Sequence, residues 1–166
     1  MDRQQSIEKL RSLIKDVKFA MLTTVDEDGS LRSRPMVTQT SDFDGTLWFF
    51  TRRDSGKVDE VEREQQVNVS YANPNKEHYV SVSGTARVVA DRAKIDELWS
   101  PVLKAWFPQG KDDPAVGLLK VEVDKAEYWD SPSSTVVKVV GFVKSLVTHQ
   151  QYNPGTNEKL DLHAAN

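Results

Sequence analysis

The segment FFTRRDSGK, residues 49–57, brings hydroxyl and basic side chains together where a predicted strand gives way to a predicted helix. Thr51, Ser55 and Lys57 all lie on the approach to that helix. A helix N-terminus binds anions well, because its first backbone N–H groups have no partner within the helix. The segment therefore predicts a phosphate-binding site. The alternative is that its charges are ordinary solvated side chains of the protein surface.

Arg34, in the stretch LRSRPMVT, is a second basic residue that bears on this prediction. Arg32 and Arg34 share one face of the predicted strand, because side chains alternate along a strand. If this strand lies beside TLWFFT, Arg34 joins Lys57 at the same ligand. An arginine, a lysine and two hydroxyl groups suit a phosphate dianion. Taken alone, the stretch favours arginines that are solvated on the outer face of the sheet.

Composition and the remaining motifs exclude several classes of function. The 22 Lys and Arg residues against 25 Asp and Glu residues give a net charge of −3, so no basic field attracts nucleic acid or an anionic membrane. The chain has no cysteine and its histidines are far apart, so we predict no metal site. No Ser-His-Asp arrangement is recognisable in the sequence, and we assign no catalytic side chain. The acidic run EVERE, residues 60–64, is interpreted as a solvated helix face.

The elements that position these residues are mostly short strands. Alternating apolar and polar residues predict strands over residues 18–25, 31–40, 46–51, 66–72, 78–90 and 118–130. Helices are predicted over residues 4–15 and 55–64, and after Asp91. Strands this numerous and two-faced normally close into a small barrel or a sandwich. The predicted fold class is mainly β with flanking helices.

The end of the chain and its location complete the prediction. One domain is expected over residues 1–148, with residues 149–166 as a polar C-terminal tail. Near the end of that domain, TVVKVVGFVKSLV is predicted to be strand-like or mixed. The N-terminus is charged and unlike a signal peptide, and no apolar run is long enough to span a bilayer. We therefore expect a cytoplasmic protein without a membrane partner.

Taken in order, the motifs resemble the pyridoxamine 5′-phosphate oxidase-like flavin-binding split barrels, and most closely their bacterial general stress protein branch. The resemblance covers about residues 5–145. Its motifs are AMLTTVDEDGSLRSRPM, LWFFTRRDSGKVDEV, VSVSGTARVV, LWSPVLKAWFPQG and AEYWDSPSS. The resemblance implies a six-stranded antiparallel split barrel. It also implies a homodimer that holds FMN, with FAD as the alternative, in clefts between its two subunits.

The resemblance further implies a set of cofactor-binding residues. The set comprises Arg34, Pro35, Met36, Val37, Phe50, Thr51, Ser55, Gly56, Lys57 and Trp129. In the family, the strand that matches residues 34–37 lies along the flavin, and its arginine reaches the phosphate. Ser55 and Lys57 match the serine and lysine that bind the phosphate at the helix start. Trp129 matches a tryptophan that lies near the flavin ring from the partner chain.

Two departures from the oxidase pattern restrict the predicted chemistry. Gly56 stands where the oxidase has an arginine, so phosphate binding is weaker unless Arg52 or Arg53 substitutes. The segment WSPVLKAWFPQGK replaces the residues that grip the substrate phosphate in the oxidase. Oxidation of vitamin B6 phosphates is therefore not predicted.

Two functions remain open at this point. One is an FMN-dependent oxidoreductase for an unknown small substrate, with open space over the flavin ring lined by Trp106 and Phe107. The other is a non-catalytic stress-response protein that binds or sequesters the flavin. Neither function requires an acid-base side chain, so the sequence does not separate them.

Overall fold

Seven strands, four α-helices and one 3₁₀ helix make up the described part of the chain. The structure is a computed structural model that describes residues 1–39, 43–131, 135–148, 151 and 155–163. The strands are β1 (Phe19–Val25), β2 (Leu31–Val37), β3 (Thr46–Arg52), β4 (Gln66–Asn73), β5 (His78–Val89), β6 (Val116–Asp130) and β7 (Thr156–Asp161). The α-helices are α1 (Arg3–Ile14), α2 (Gly56–Arg63), α3 (Arg92–Leu98) and α4 (Thr135–Thr148), and the 3₁₀ helix covers Pro101–Ala105.

One sheet contains all seven strands, and its order shows where a ligand site can form. The strand order is β2-β1-β4-β5-β6-β3, and every neighbouring pair is antiparallel. The long strand β6 pairs with β3 along its first half and with β7 along its second half. No ladder joins the two end strands, β2 and β3, within the described residues. The sheet is thus an open, split barrel, and the split lies between β2 and β3.

Glycines occupy two points of this sheet that a side chain would disturb. Gly29 adopts a φ of +83° at the tip of the β1–β2 hairpin, a backbone conformation that glycine adopts without steric cost. Gly84 lies at a register shift between β5 and β6, where an added Cβ atom would be 2.4 Å from the carbonyl oxygen of Glu122. A residue with a side chain at position 84 would force these two strands apart.

Two apolar clusters hold the elements together. The larger one fills the inner face of the sheet, where Val69, Val82 and Val121 are fully buried and α1 contributes Leu10. The smaller cluster comprises Phe50, Ile95, Leu98, Leu103, Phe107, Val116 and Leu118. It fastens α3 and the 3₁₀ helix against β3 and β6. The segment between β5 and β6 is thereby fixed beside the end of β3.

The C-terminal part of the chain differs from the prediction in two respects. The strand-like or mixed interpretation of TVVKVVGFVKSLV is wrong, because these residues form α4. Its β-branched residues favour a strand, but exposed apolar side chains recur at helical spacing. They are Val139, Phe142, Val143, Leu146 and Val147. Neither α4 nor any other helix in the described residues is long and apolar enough to cross a membrane.

The second difference is the strand β7, which lies within the segment predicted to be a polar tail. Only Leu160 is buried among its six residues, so the strand shows no alternation by which sequence could reveal it. It extends the predicted six strands to seven. Residues 149–150, 152–154 and 164–166 of the same segment lie outside the described residues.

Candidate functional site

A cavity of about 360 Å³ lies at the split of the barrel, between β2 and β3. Its lining comprises residues 34–37 of β2, residues 50–52 of β3, Ser55, Lys57, Leu103, Trp106 and Phe107. Ligand sites in proteins typically enclose about 300–1,000 Å³. The basic end of this cavity consists of Arg34, Thr51, Ser55 and Lys57. Leu103, Trp106 and Phe107 are called its aromatic end.

The basic end centres on the ammonium group of Lys57. Its Nζ atom lies 3.2 Å from Thr51 Oγ1 and 3.3 Å from Ser55 Oγ, and donates to both hydroxyl oxygens. Thr51 is 2% exposed, and Lys57 is half-buried. Within the described residues, Lys57 forms no ion pair with a carboxylate. A cation that is held by two neutral hydroxyl groups is well placed to bind an anion.

The start of α2 adds to the same end of the cavity. Ser55 is the N-cap residue of α2, and its extended backbone is typical of that position. Its side chain makes no capping hydrogen bond, and its Oγ atom instead lies toward Lys57 and Thr51. The first N–H groups of α2 therefore have no side-chain partner from their cap residue. This leaves backbone donors beside the hydroxyl groups for an anion.

Electrostatics at the basic end favours a bound anion. Burial lowers the pKa of Lys57 below its ordinary value, and the charge of Arg34 lowers it further. The carboxylate of Glu60 acts in the opposite direction and raises the Lys57 pKa. Two like charges that are close enough to affect each other in a half-buried site are stabilised by a bound anion, since it offsets both burial and repulsion.

Arg34 differs from Lys57 because it already has a carboxylate partner. Its Nη2 atom donates to Glu60 Oε2 at 2.6 Å, and its Nη1 atom donates to Thr24 Oγ1 at 2.7 Å. Glu60 lies on α2 and is 5% exposed. The interpretation of EVERE as a solvated face is therefore wrong at Glu60. The carboxylate links α2 to β2 and holds the arginine side chain at the cavity wall.

The two arginines that follow Thr51 point to different partners. Arg52 lines the cavity, but its Nε and Nη2 atoms donate to the two carboxylate oxygens of Asp54, at 3.0 and 3.1 Å. Arg53 lies over Gly117, where an added Cβ atom would be 2.7 Å from Arg53 Cγ. Of the two, Arg52 is the one that the structure places at the cavity. An added Cβ atom at Gly56 has open space, with no atom within 4 Å.

The aromatic end is built from the 3₁₀ helix and the residues that follow it. Leu103 and Phe107 are buried, and Phe107 packs edge-on against Phe50 with ring centroids 6.2 Å apart. Trp99 also packs edge-on against Phe50, at 5.6 Å, and its ring centroid is 6.2 Å from that of Phe107. Trp106 is different, because it lines the cavity and is still 49% exposed. The aromatic end thus combines a fixed apolar wall with one large, accessible ring.

Most of the predicted site residues come together in this structure. The cavity contains Arg34, Pro35, Met36, Val37, Phe50, Thr51, Ser55 and Lys57, and Gly56 lies between the last two at the start of α2. Trp129 is not among the lining residues of the same chain. It lies near the end of β6, whereas Thr51 pairs with Gly117 near the start of that strand. Trp129 is 43% exposed on the outer face of the sheet.

Sequence reasoning missed Thr24 and Glu60. Thr24 lies on β1, and its role depends on the position of β2 beside it, which pairs Thr24 with Arg32. Glu60 carries a weak signal, because it follows Lys57 by three residues and so lies on the same side of α2. Its burial was not predictable from an acidic run. Hydrogen bonds from Thr24 and Arg34 outweigh the effect of burial, and the pKa of Glu60 lies below its ordinary value.

The fold is that of a known family of proteins. The sequence model of the family described as "Pyridoxamine 5′-phosphate oxidase like" matches residues 5–153. The chain therefore belongs to the pyridoxamine 5′-phosphate oxidase-like family. The strand topology and the resemblance of its motifs agree with this assignment.

Individual relatives come from fungi and bacteria. Protein bli-3 of Neurospora crassa is 35% identical to this chain over 94% of its length and 78% of the relative. A crystal structure of the general stress FMN/FAD binding protein of Xanthomonas citri is 32% identical, with a TM-score of 0.67, over 79% of this chain and 92% of that one. A structure from Jannaschia sp. CCS1, assigned as general stress protein 26, has a TM-score of 0.77 at 26% identity, over 95% and 99% of the two chains.

Proposed function

We propose that the protein binds FMN in the cavity between β2 and β3 and serves as an FMN-dependent oxidoreductase for a small substrate. The observation that carries the cofactor is Lys57, a half-buried ammonium group between two hydroxyl groups that forms no ion pair with a carboxylate in the described residues. The relative from Xanthomonas citri, described as an FMN/FAD binding protein, supports a flavin ligand. FMN is preferred to FAD because the charged groups gather at one end of one cavity.

The residues present fit each part of this cofactor. Lys57, Ser55, Thr51 and the start of α2 would hold the phosphate group by charge-assisted hydrogen bonds. Residues 34–37 would lie along the ring system, and the apolar wall of Leu103 and Phe107 would exclude water from it. FMN, when bound, supplies the electron-transfer chemistry of such a protein. The chain itself binds and orients the cofactor, and it leaves Trp106 exposed beside the ring site.

Absorbance and titration test the cofactor proposal directly. The purified protein is expected to carry a yellow flavin chromophore or to acquire one when FMN is added. FMN should bind more tightly than riboflavin, because the basic end contacts only the phosphate group. Equal affinities for the two flavins would contradict the assignment of the basic end.

Anaerobic reduction distinguishes the oxidoreductase from a flavin-storing protein. We expect NADH or NADPH to bleach the bound flavin, and a small acceptor to restore its colour. The accessible ring of Trp106 favours this function, since it leaves the aromatic end open to a second molecule. A flavin that stays oxidised with both donors would instead identify a storage or sensor protein.

We further propose that two copies of the chain form a homodimer that shares the flavin sites. The outer face of the sheet exposes four large apolar or aromatic side chains, those of Phe19, Met21, Tyr79 and Trp129. Tyr79 and Trp129 are register partners on neighbouring strands, and Met21 lies opposite the small residue Ser70. Exposed apolar groups on one sheet face are typical of an interface. In such a dimer, Trp129 could contact the flavin bound by the partner subunit, whereas it does not line the cavity of its own chain.

Light scattering and dilution test the dimer. We expect a dimer in solution, and a loss of both dimerisation and flavin affinity when Phe19→Asp places a charge on this face. A wild-type monomer that binds one flavin per chain would contradict the shared site. The cytoplasmic location stays a prediction, which cell fractionation checks.

A further inference from the structure

Glu60 is an unusual residue at this site, because it is a buried carboxylate beside a cavity assigned to an anionic ligand. Glu60 is 5% exposed and lies on α2, one turn after Lys57. Charged groups are seldom buried unless they are paired and hydrogen-bonded. By charge alone, a carboxylate at this position repels a phosphate group. The structure therefore calls for a reason that outweighs this repulsion.

The contacts of Glu60 supply that reason. Its Oε2 atom accepts hydrogen bonds from Thr24 Oγ1 at 2.5 Å and from Arg34 Nη2 at 2.6 Å. Thr24 Oγ1 in turn accepts a hydrogen bond from Arg34 Nη1 at 2.7 Å. Both terminal nitrogens of the guanidinium group are thus fixed by one carboxylate and one hydroxyl group. The other oxygen of Glu60, Oε1, faces Arg32 Nη1 at 3.7 Å.

We propose that Glu60 is a positioning residue that makes the site selective for a phosphorylated flavin, by holding the guanidinium group of Arg34 in place at the basic end. This inference rests on the proposed function. An arginine side chain has many rotamers, and a ligand that must order this side chain on binding loses affinity because of the entropy cost. Glu60 and Thr24 order Arg34 before the ligand arrives. The carboxylate also offsets part of the repulsion between Arg34 and Lys57.

A positioning role for Glu60 and a purely electrostatic role predict opposite changes in FMN affinity for one substitution, Glu60→Gln. Glu60→Gln removes a negative charge near the phosphate site and keeps the size of the side chain. If charge alone mattered, FMN would bind more tightly to the variant. If Glu60 acts by positioning Arg34, FMN binds less tightly, while riboflavin, which has no phosphate, is unaffected.

The experiment compares the dissociation constants of FMN and riboflavin by quenching of flavin fluorescence. For Glu60→Gln we expect FMN affinity to fall roughly tenfold, the equivalent of about one hydrogen bond to a charged group, with riboflavin affinity unchanged. Glu62→Gln is the matched control, because it makes the same charge change at an exposed position of the same helix. It should change neither constant.

A double-mutant cycle with Arg34→Ala tests whether Glu60 acts through the arginine. We expect Glu60→Gln to have no further effect on FMN affinity once Arg34 is absent. An additive loss, or an FMN affinity that is unchanged or higher in Glu60→Gln alone, would overturn the inference. If Glu60→Gln does not fold, Thr24→Val replaces it, and an unchanged ratio of FMN to riboflavin affinity in that variant would likewise overturn it.

The failure of this inference is distinguishable from failure of the proposed function. A wild-type protein that binds both flavins equally contradicts the phosphate site itself. A wild-type protein that prefers FMN, with a Glu60→Gln variant that keeps the same preference, contradicts only the role of Glu60.

Discussion

The two ends of the cavity are built in opposite ways. At the basic end, Lys57 and Arg34 are each held by hydrogen bonds to neighbouring side chains, so their positions are set before any ligand binds. At the aromatic end, Leu103 and Phe107 are packed, but Trp106 remains largely exposed. The difference indicates that the basic end fixes where a ligand is anchored. The aromatic end leaves access for a second molecule or for a partner subunit.

The difference also separates two kinds of specificity. An anchor made of charged hydrogen bonds discriminates strongly between ligands with and without a phosphate group. A wall of apolar side chains discriminates weakly, since a contact area changes little from one planar ring to another. Substitutions at the two ends should therefore differ in which ligands they affect, and in size.

The largest effect is expected at the basic end. Lys57→Ala should weaken FMN binding by about 1.5–3 kcal/mol, the range for a hydrogen bond to a charged group. Arg34→Ala should fall in the same range. Riboflavin should bind as tightly to these variants as to the wild type, because riboflavin has no phosphate group for either side chain to contact. Titration of both flavins checks the prediction, and an equal loss for both would place these residues at the ring.

A smaller and less selective effect is expected at the aromatic end. Trp106→Ala should weaken FMN and riboflavin equally, by about 0.5–1.5 kcal/mol, the range for an aromatic pair beyond its buried area. The ratio of the two affinities should therefore not change. The same titrations measure it. A loss confined to FMN would show that Trp106 acts on the phosphate and that the two ends are not separate.

A gain of affinity is expected from Gly56→Arg. The open space at this position accepts a side chain, and Gly56 lies between Ser55 and Lys57. An added guanidinium group near the phosphate should tighten FMN binding by about 0.2–1 kcal/mol, since a solvated ion pair is weak. Gly56→Gln is the uncharged control. A gain in both variants would mean that charge is not its cause.

The smallest effect concerns stability without ligand. Burial lowers the pKa of Lys57, so the unfolded chain binds more protons than the folded chain between that lowered pKa and 10.5. Stability from this group therefore rises with pH across that alkaline window, and at neutral pH the charged lysine costs stability. Lys57→Met should raise the melting temperature of the flavin-free protein slightly at pH 7. A lower melting temperature would show that the hydroxyl contacts stabilise the fold.

Sequence predicted the basic end better than the rest of the site. Thr51, Ser55 and Lys57 lie within seven residues of one turn, and local chemistry alone brings them together. Glu60 and Thr24 depend on which strands are neighbours, and that information is not local. The predicted strands up to Asp130 agree with the sheet, since alternation reports a half-buried strand directly. The same rule fails for β7, where only Leu160 is buried.

The pairing of β7 with β6 has a consequence for how this chain tolerates change in length. Asp130 and Thr156 are register partners, so the chain leaves the sheet and re-enters it at the same place. Gly155 permits this close approach, because a Cβ atom there would lie 2.3 Å from the carbonyl oxygen of Asp130. The cost of closing a loop grows only slowly with its length. We therefore expect that a short turn could replace the segment between Asp130 and Thr156, which contains α4, without changing the register of β6 and β7.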